Sequence, residues 1–191
     1  LGLNVRDAPR FVTAESGAEA LEVLANGAFQ LVVATARLPD MSPQTLGQRI
    51  KGAFPGLPVC VLAAHPWDLP HRCGLRSAGV ADWVLVWQGG VRTLLAVIAQ
   101  EEDRRNADHD ILECGVQTIV LVEDDVRFLS FLLPHIYTEL TQQTARLLRE
   151  GLNLSDRLLR LQARPKLLLA DTYEKASQLI ERYGDRVLGV I

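Results

Sequence analysis

The apolar run Thr118-Ile119-Val120-Leu121-Val122 ends in three acids, Glu123-Asp124-Asp125. Carboxylates delivered together at the end of a buried strand offer hard oxygen ligands to a divalent cation that keeps part of its water shell. The same acids suit the amino terminus of a following helix, where negative charge is favourable, and taken alone the run is explained by capping. The other reactive side chains form no comparable pattern. Cys60, Cys73 and Cys114 are an odd, widely spaced set without a C-x-x-C pair, which argues against a disulfide framework or a zinc knuckle and for reduced thiols. His65, His71, His109 and His135 have no i, i+4 partner, so no histidine metal site is expected. Ser16-Gly17 with Glu19 reads as a helix start, and Gly89-Gly90 lacks the full phosphate-cradling motif.

The elements that must position these residues follow from short apolar runs alternating with amphipathic stretches, the pattern of a parallel α/β sheet. Strands are predicted over 10–14, 29–34, 58–62, 82–86, 118–122, 166–170 and 186–191. Helices are predicted from the Ser16 cap to Gly27, over 43–53, 70–78 and 90–104, over 127–148 with Pro134 kinking or restarting the helix, over 156–163 after a Ser155 cap, and from Thr172. The stretch 101–110 is polar and mixed in charge without periodic apolar positions, which predicts a frayed helix end and a linker. The expected organisation is a first unit over 1–108, a linker over 109–116 and a second unit over 117–191.

With 191 residues, 48% of them apolar, and 20 Lys+Arg against 23 Asp+Glu, the composition is that of an ordinary globular chain with room for one or two cores. A net charge of -3 supplies no clustered positive surface for nucleic acid or an anionic membrane. No apolar run nears the roughly 20 residues that cross a bilayer. The opening Leu1-Gly2-Leu3-Asn4 has no signal-peptide pattern, so a cytoplasmic location is expected, with neither nucleic acid nor membrane as partner.

Two segments share one order of strand, small or polar turn, and helix: Phe11-Val12-Thr13-Ala14-Glu15-Ser16-Gly17-Ala18-Glu19-Ala20-Leu21 and Leu167-Leu168-Leu169-Ala170-Asp171-Thr172-Tyr173-Glu174-Lys175-Ala176. With Arg37-Leu38-Pro39-Asp40-Met41 and Gly79-Val80-Ala81-Asp82-Trp83, the chain resembles receiver domains of two-component response regulators, twice over. The resemblance implies an α/β, flavodoxin-like doubly wound parallel sheet of strand order 2-1-3-4-5, with function gathered at the carboxyl ends of the strands. In the first unit, the positions of the family's phosphoacceptor Asp, hydroxyl residue and Lys hold Thr35, Ala63 and Val86. None of the three can serve its role, so the first unit is expected to be a pseudo-receiver, with Trp83 and Trp87 filling the space of the missing Lys. The family's first, central strand is also missing from this unit; upstream residues or 118–122 would have to supply it.

In the second unit, Glu123 and Asp124 match the family's acidic pair, which implies weak binding of Mg²⁺ there, with Asp125 assisting or capping the next helix. The family pattern puts the phosphoacceptor about two residues beyond Ile191. The spacing over 137–165 is longer than in an ordinary receiver. Residues 117–191 look like receiver segments that precede a phosphoenolpyruvate synthase or pyruvate phosphate dikinase-like catalytic region. Leu147, Leu148, Leu154, Leu158, Leu159 and Leu161 form an apolar stripe beside Arg146, Arg149, Arg157 and Arg160, suited either to packing on its own sheet or to a helical hairpin that pairs two protomers. The resemblance therefore implies a regulatory, non-enzymatic module. Its partners would be a histidine kinase or phosphotransfer protein and a second copy of the chain joined through an insert at about 138–165. A phosphorylation-independent scaffold is the alternative.

Overall fold

The structure, a computed structural model, describes residues 10–68, 79–87, 89–150 and 164–191. The helices expected over 70–78 and 156–163, residues 151–163 of the insert and the side chains of its leucine stripe lie outside the described residues. The chain divides into two compact units that meet in sequence at Gly90 and Val91.

In the first unit, α1 (Gly17–Ala25), β1 (Val32–Thr35), α2 (Pro43–Ala53), β2 (Val59–Ala63) and β3 (Trp83–Val86) follow in order. The three strands are parallel in the order β1-β2-β3. Local signals set the helix starts. Ser16 Oγ accepts the Glu19 amide at 3.2 Å while the Glu19 carboxylate reaches back to the Glu15 amide at 2.7 Å, and Ser42 Oγ accepts the Thr45 amide ahead of Pro43. The apolar faces of α1 and α2 close over the sheet through Leu24, Leu46, Ile50, Leu57 and Val59. Asp82 ties this core at one end, accepting the Val59 amide at 2.8 Å and Lys51 Nζ at 2.6 Å.

The strand expected over 10–14 does not form: the segment is irregular, with Phe11 and Val12 exposed. The physical reason is pairing. Backbone N–H and C=O groups in a strand need a neighbour, and in the 2-1-3-4-5 order this strand borders only the first. The outward edge of β1 has no strand partner among the described residues, and Val33 on it is exposed. Residues 118–122 do not fill that gap, because both of their edges are occupied within the second unit.

The second unit runs α3 (Val91–Asp108), a single π-helical turn (His109–Glu113), β4 (Thr118–Val122), α4 (Val126–Glu150), β5 (Lys166–Ala170), α5 (Tyr173–Tyr183) and β6 (Val187–Val190). Its strands are parallel in the order β5-β4-β6, with the first of them central. Two half-sheets thus stand in series: the first has the run of neighbours expected of strands 3-4-5, the second that of strands 2-1-3. The result is a pair of flavodoxin-like α/β units, as the sequence predicts.

Two expectations are corrected here. The polar stretch 101–110 is neither frayed nor a linker. Asp103 is fully buried, and its carboxylate receives Arg164, the Tyr137 hydroxyl at 2.9 Å and the Leu167 amide at 3.0 Å, with Lys166 Nζ at 3.4 Å. Gln100 donates to the Leu167 carbonyl, and Ile111 packs with Ala107, Leu168 and Tyr183. Charged residues here are paired inside rather than solvated, so apolar periodicity does not reveal them, and the expected end of the helix at 104 falls short of Asp108. Pro134 does not restart its helix either: α4 is continuous through it, and the hydroxyls of Ser130, Thr138 and Thr144 bond to carbonyls one turn back.

Candidate functional site

The carboxyl ends of the second sheet gather the acidic residues. Parallel pairing sets Val122 beside Ala170, so Asp171 comes level with Glu123, whose amide donates to the Ala170 carbonyl at 2.9 Å. On the other side Ile191 exchanges backbone hydrogen bonds with Val120 and Val122. From the central β4 the chain passes first to β5 on one side and then to β6 on the other. Their carboxyl ends therefore flank a topological switch point, the place where open α/β sheets bind ligands.

The four carboxylates at this edge are not equivalent. Asp125 is the amino-terminal cap of α4: it accepts the Arg127 amide at 2.8 Å and holds the Arg127 guanidinium at 2.6 Å, which in turn keeps that guanidinium charged to a higher pH than usual. Of the two roles open to it in the sequence, the geometry realises capping. Asp171 is bound by Lys175, one helical turn on, at 2.6 Å. Glu123, half-buried, accepts the Asp125 amide on Oε1 at 2.8 Å, and Asp124 is exposed with no hydrogen bond or ion pair among the described residues. Arg127 and Lys175 thus balance two of the carboxylates, while Glu123 and Asp124 keep oxygen atoms open to a ligand. A pair of carboxylates with accessible oxygens fits Mg²⁺, which is commonly held by one or two carboxylates and otherwise by water or phosphate. Glu123 and Asp124 would hold it, and the ion would supply positive charge at this edge.

The first unit presents the same edge with different contents. Thr35 closes β1, Ala63 β2 and Val86 β3; the register sets Ala63 beside Val86 and Thr35 beside Leu62, one residue short of Ala63. The Thr35 hydroxyl donates to the Arg37 carbonyl at 2.9 Å, a local turn contact. Arg37 pairs with Asp68 at 2.6 Å, and Asp68 also accepts the His65 amide while His65 stacks on Trp67 at 4.5 Å. Asp40 accepts the Gly17 and Ala18 amides at 2.9 Å each, which holds its carboxyl below the usual range and fixes the loop after β1 to the start of α1. Trp83 does not replace a missing Lys: it sits at the amino end of β3, paired in register with Cys60, whereas Trp87 does follow Val86, its amide donating to the Ala63 carbonyl. Burial pushes the Cys60 thiol far up, leaving it inert.

Sequence reasoning singled out Glu123 and Asp124 as candidates and said nothing of Arg127 and Lys175 beside them. The i, i+4 spacing of Asp171 and Lys175 was available as a signal. The buried Asp103 network left none, since its members lie up to 64 residues apart.

No protein-family model matches the chain. Over 73 residues, 38% of its length, it is 37% identical to the transcriptional regulatory protein GlrR of Escherichia coli (strain K12), and to the same degree to the transcriptional regulatory protein QseF of Escherichia coli O157:H7. The match spans 16% of the length of each relative. These likenesses support a receiver domain of the response-regulator kind and a regulatory region in two-component signalling.

Proposed function

We propose that the second unit is a phosphoryl-accepting receiver with weak Mg²⁺ affinity at Glu123 and Asp124, and that the first is a pseudo-receiver used for protein contacts. The observation that carries the proposal is the pair of carboxylates with open oxygens at the switch point of β5-β4-β6. The register Val120↔Val190, continued along both strands, sets the second position past Ile191 opposite Glu123. An Asp there would take the phosphoryl group from a histidine kinase or phosphotransfer protein. Its carboxylate oxygen would bond to phosphorus as the donor's N–P bond breaks. The modified unit would then control an attached output region, and the resemblance of 117–191 points to a phosphoenolpyruvate synthase-like one. The first unit has no carboxylate at Thr35, Ala63 or Val86 and serves as a cytoplasmic contact module.

Incubation with a small acyl-phosphate donor and Mg²⁺ tests both halves. Residues 1–191 should take no hydroxylamine-sensitive label, whereas a chain continued past Ile191 should take one stoichiometrically and lose it on Asp124→Ala. Label on residues 1–191 would refute the assignment. A second reading, a phosphorylation-independent scaffold that dimerises, is favoured by the exposed Phe128 and Phe131 on one helix, α4. It gains if the continued chain takes no label and its dimer dissociates on Phe128→Ser with Phe131→Ser.

A further inference from the structure

The π-helical turn that ends α3 brings Cys114 round to the neighbouring pair His109 and Asp110. In an α-helix a residue five positions on lies about 140° around the axis. Here the Cys114 amide donates to the His109 carbonyl at 3.0 Å, closing the wider turn and setting Cys114 over His109. Gly115, at φ +73°, then turns the chain away, and the Val116 amide seals the loop on the Asp110 carbonyl at 2.9 Å. Cys114 Sγ stands 3.7 Å from His109 Nδ1, and Asp110 Oδ1 stands 3.1 Å from the same nitrogen. One ligand atom from each of the three residues lies within 4.8 Å of the others.

The span between Cys114 and His109 has a chemical meaning, and rotation of the exposed Cys114 side chain would close the longer one to Asp110. An ion about 2.0–2.1 Å from an imidazole nitrogen and 2.3 Å from a thiolate, in tetrahedral geometry, separates the two donors by roughly 3.6 Å. The carboxylate is half committed: Asp110 Oδ2 is held by Lys166 Nζ at 2.6 Å, leaving Oδ1 on the side of the imidazole. On the far side of the ring Glu113 Oε2 lies 3.6 Å from His109 Nε2, within ion-pair range, and a small rotation would bring it to where a carboxylate orients a metal-bound histidine through its other nitrogen. His109 and Cys114 are exposed, so a cation can enter and a fourth position stays open to water.

We propose that His109 Nδ1, Cys114 Sγ and Asp110 Oδ1 form a site for a borderline-soft divalent transition-metal ion of the Zn²⁺ class, with Glu113 as a positioning residue. A mixed nitrogen, sulfur and oxygen set selects such ions over Mg²⁺ or Ca²⁺. The site precedes β4, at the opposite end of that strand from Glu123 and Asp124, and does not depend on the receiver reading.

Co²⁺ titration of the 191-residue chain under reducing conditions tests it. The expected result is one equivalent bound, with a thiolate-to-cobalt charge-transfer band in the near ultraviolet that Zn²⁺ bleaches and excess Mg²⁺ leaves intact. Cys114→Ser should abolish the band and His109→Gln should weaken binding at least about tenfold, both with unchanged circular dichroism because the side chains are exposed. Glu113→Gln should leave the whole cobalt spectrum at saturation unchanged while lowering affinity about tenfold, whereas His109→Gln also alters the visible cobalt bands because it removes a nitrogen ligand. No band with Co²⁺ in excess, or a band that survives Cys114→Ser, overturns the proposal.

Discussion

The two units present the carboxyl edge of a parallel three-stranded sheet with opposite chemistry. In the first, the strands end in Thr35, Ala63 and Val86, and the nearby charges are spent on each other, Arg37 on Asp68 and Asp40 on the α1 amides. In the second, four carboxylates meet and only two are balanced by cations. The interiors differ in the same sense: the first is closed by aliphatic side chains, whereas the second is organised around a buried aspartate. One backbone plan therefore carries either a strand-end face without carboxylates or an acidic one, and side chains at strand termini decide which.

Each unit has its own reporter, since Trp67, Trp83 and Trp87 all lie in the first and Tyr137, Tyr173 and Tyr183 all in the second. The contrast of interiors is tested hardest by Asp103→Ala, which strands Arg164 without its carboxylate. The expected loss is about 3–5 kcal/mol, confined to amide exchange in the second unit while tryptophan emission holds its midpoint. A shift of both reporters together would contradict independent cores. Next in size is Gly47→Ala. A Cβ there would lie 2.6 Å from the Val80 carbonyl oxygen, which backbone cannot easily yield, so tryptophan-monitored denaturation should show about 1–3 kcal/mol of destabilisation.

The smallest effect concerns acid. Asp40 is held below its ordinary value by the Gly17 and Ala18 amides, so its contribution to the first unit is complete above the unfolded value, about 3.9, and is lost as pH falls through the lower folded one. Asp40→Asn should flatten the tryptophan-detected acid transition below about pH 4. An unchanged acid limb would assign the sensitivity to another group.

Much of this fold was readable because local physics and tertiary structure agree. The uninterrupted aliphatic runs 119–122 and 167–170 read as covered strands, and Ser16, Ser42 and Thr172 cap helices as their side chains dictate. Phe11 and Val12 misled because a strand's propensity is realised only against a partner. Glu101, Asp103 and Gln100 misled in the other direction: a polar helix face reads as solvated unless the distant Arg164, Tyr137 and Leu167 that bury it are known. Of the candidate site, Glu123 and Asp124 were visible as types at a strand end, but their availability depends on Arg127 and Lys175 having claimed the neighbouring acids.

The central claim is that the second unit, and not the first, has a cation-binding carboxyl edge. It is tested most directly by amide NMR of the 191-residue chain titrated with Mg²⁺. Saturable shifts should centre on Glu123 and Asp124, extend to Asp171, leave Thr35, Ala63 and Val86 unmoved and vanish on Asp124→Ala. Shifts centred on the first unit, or none at the second at millimolar Mg²⁺, would contradict it.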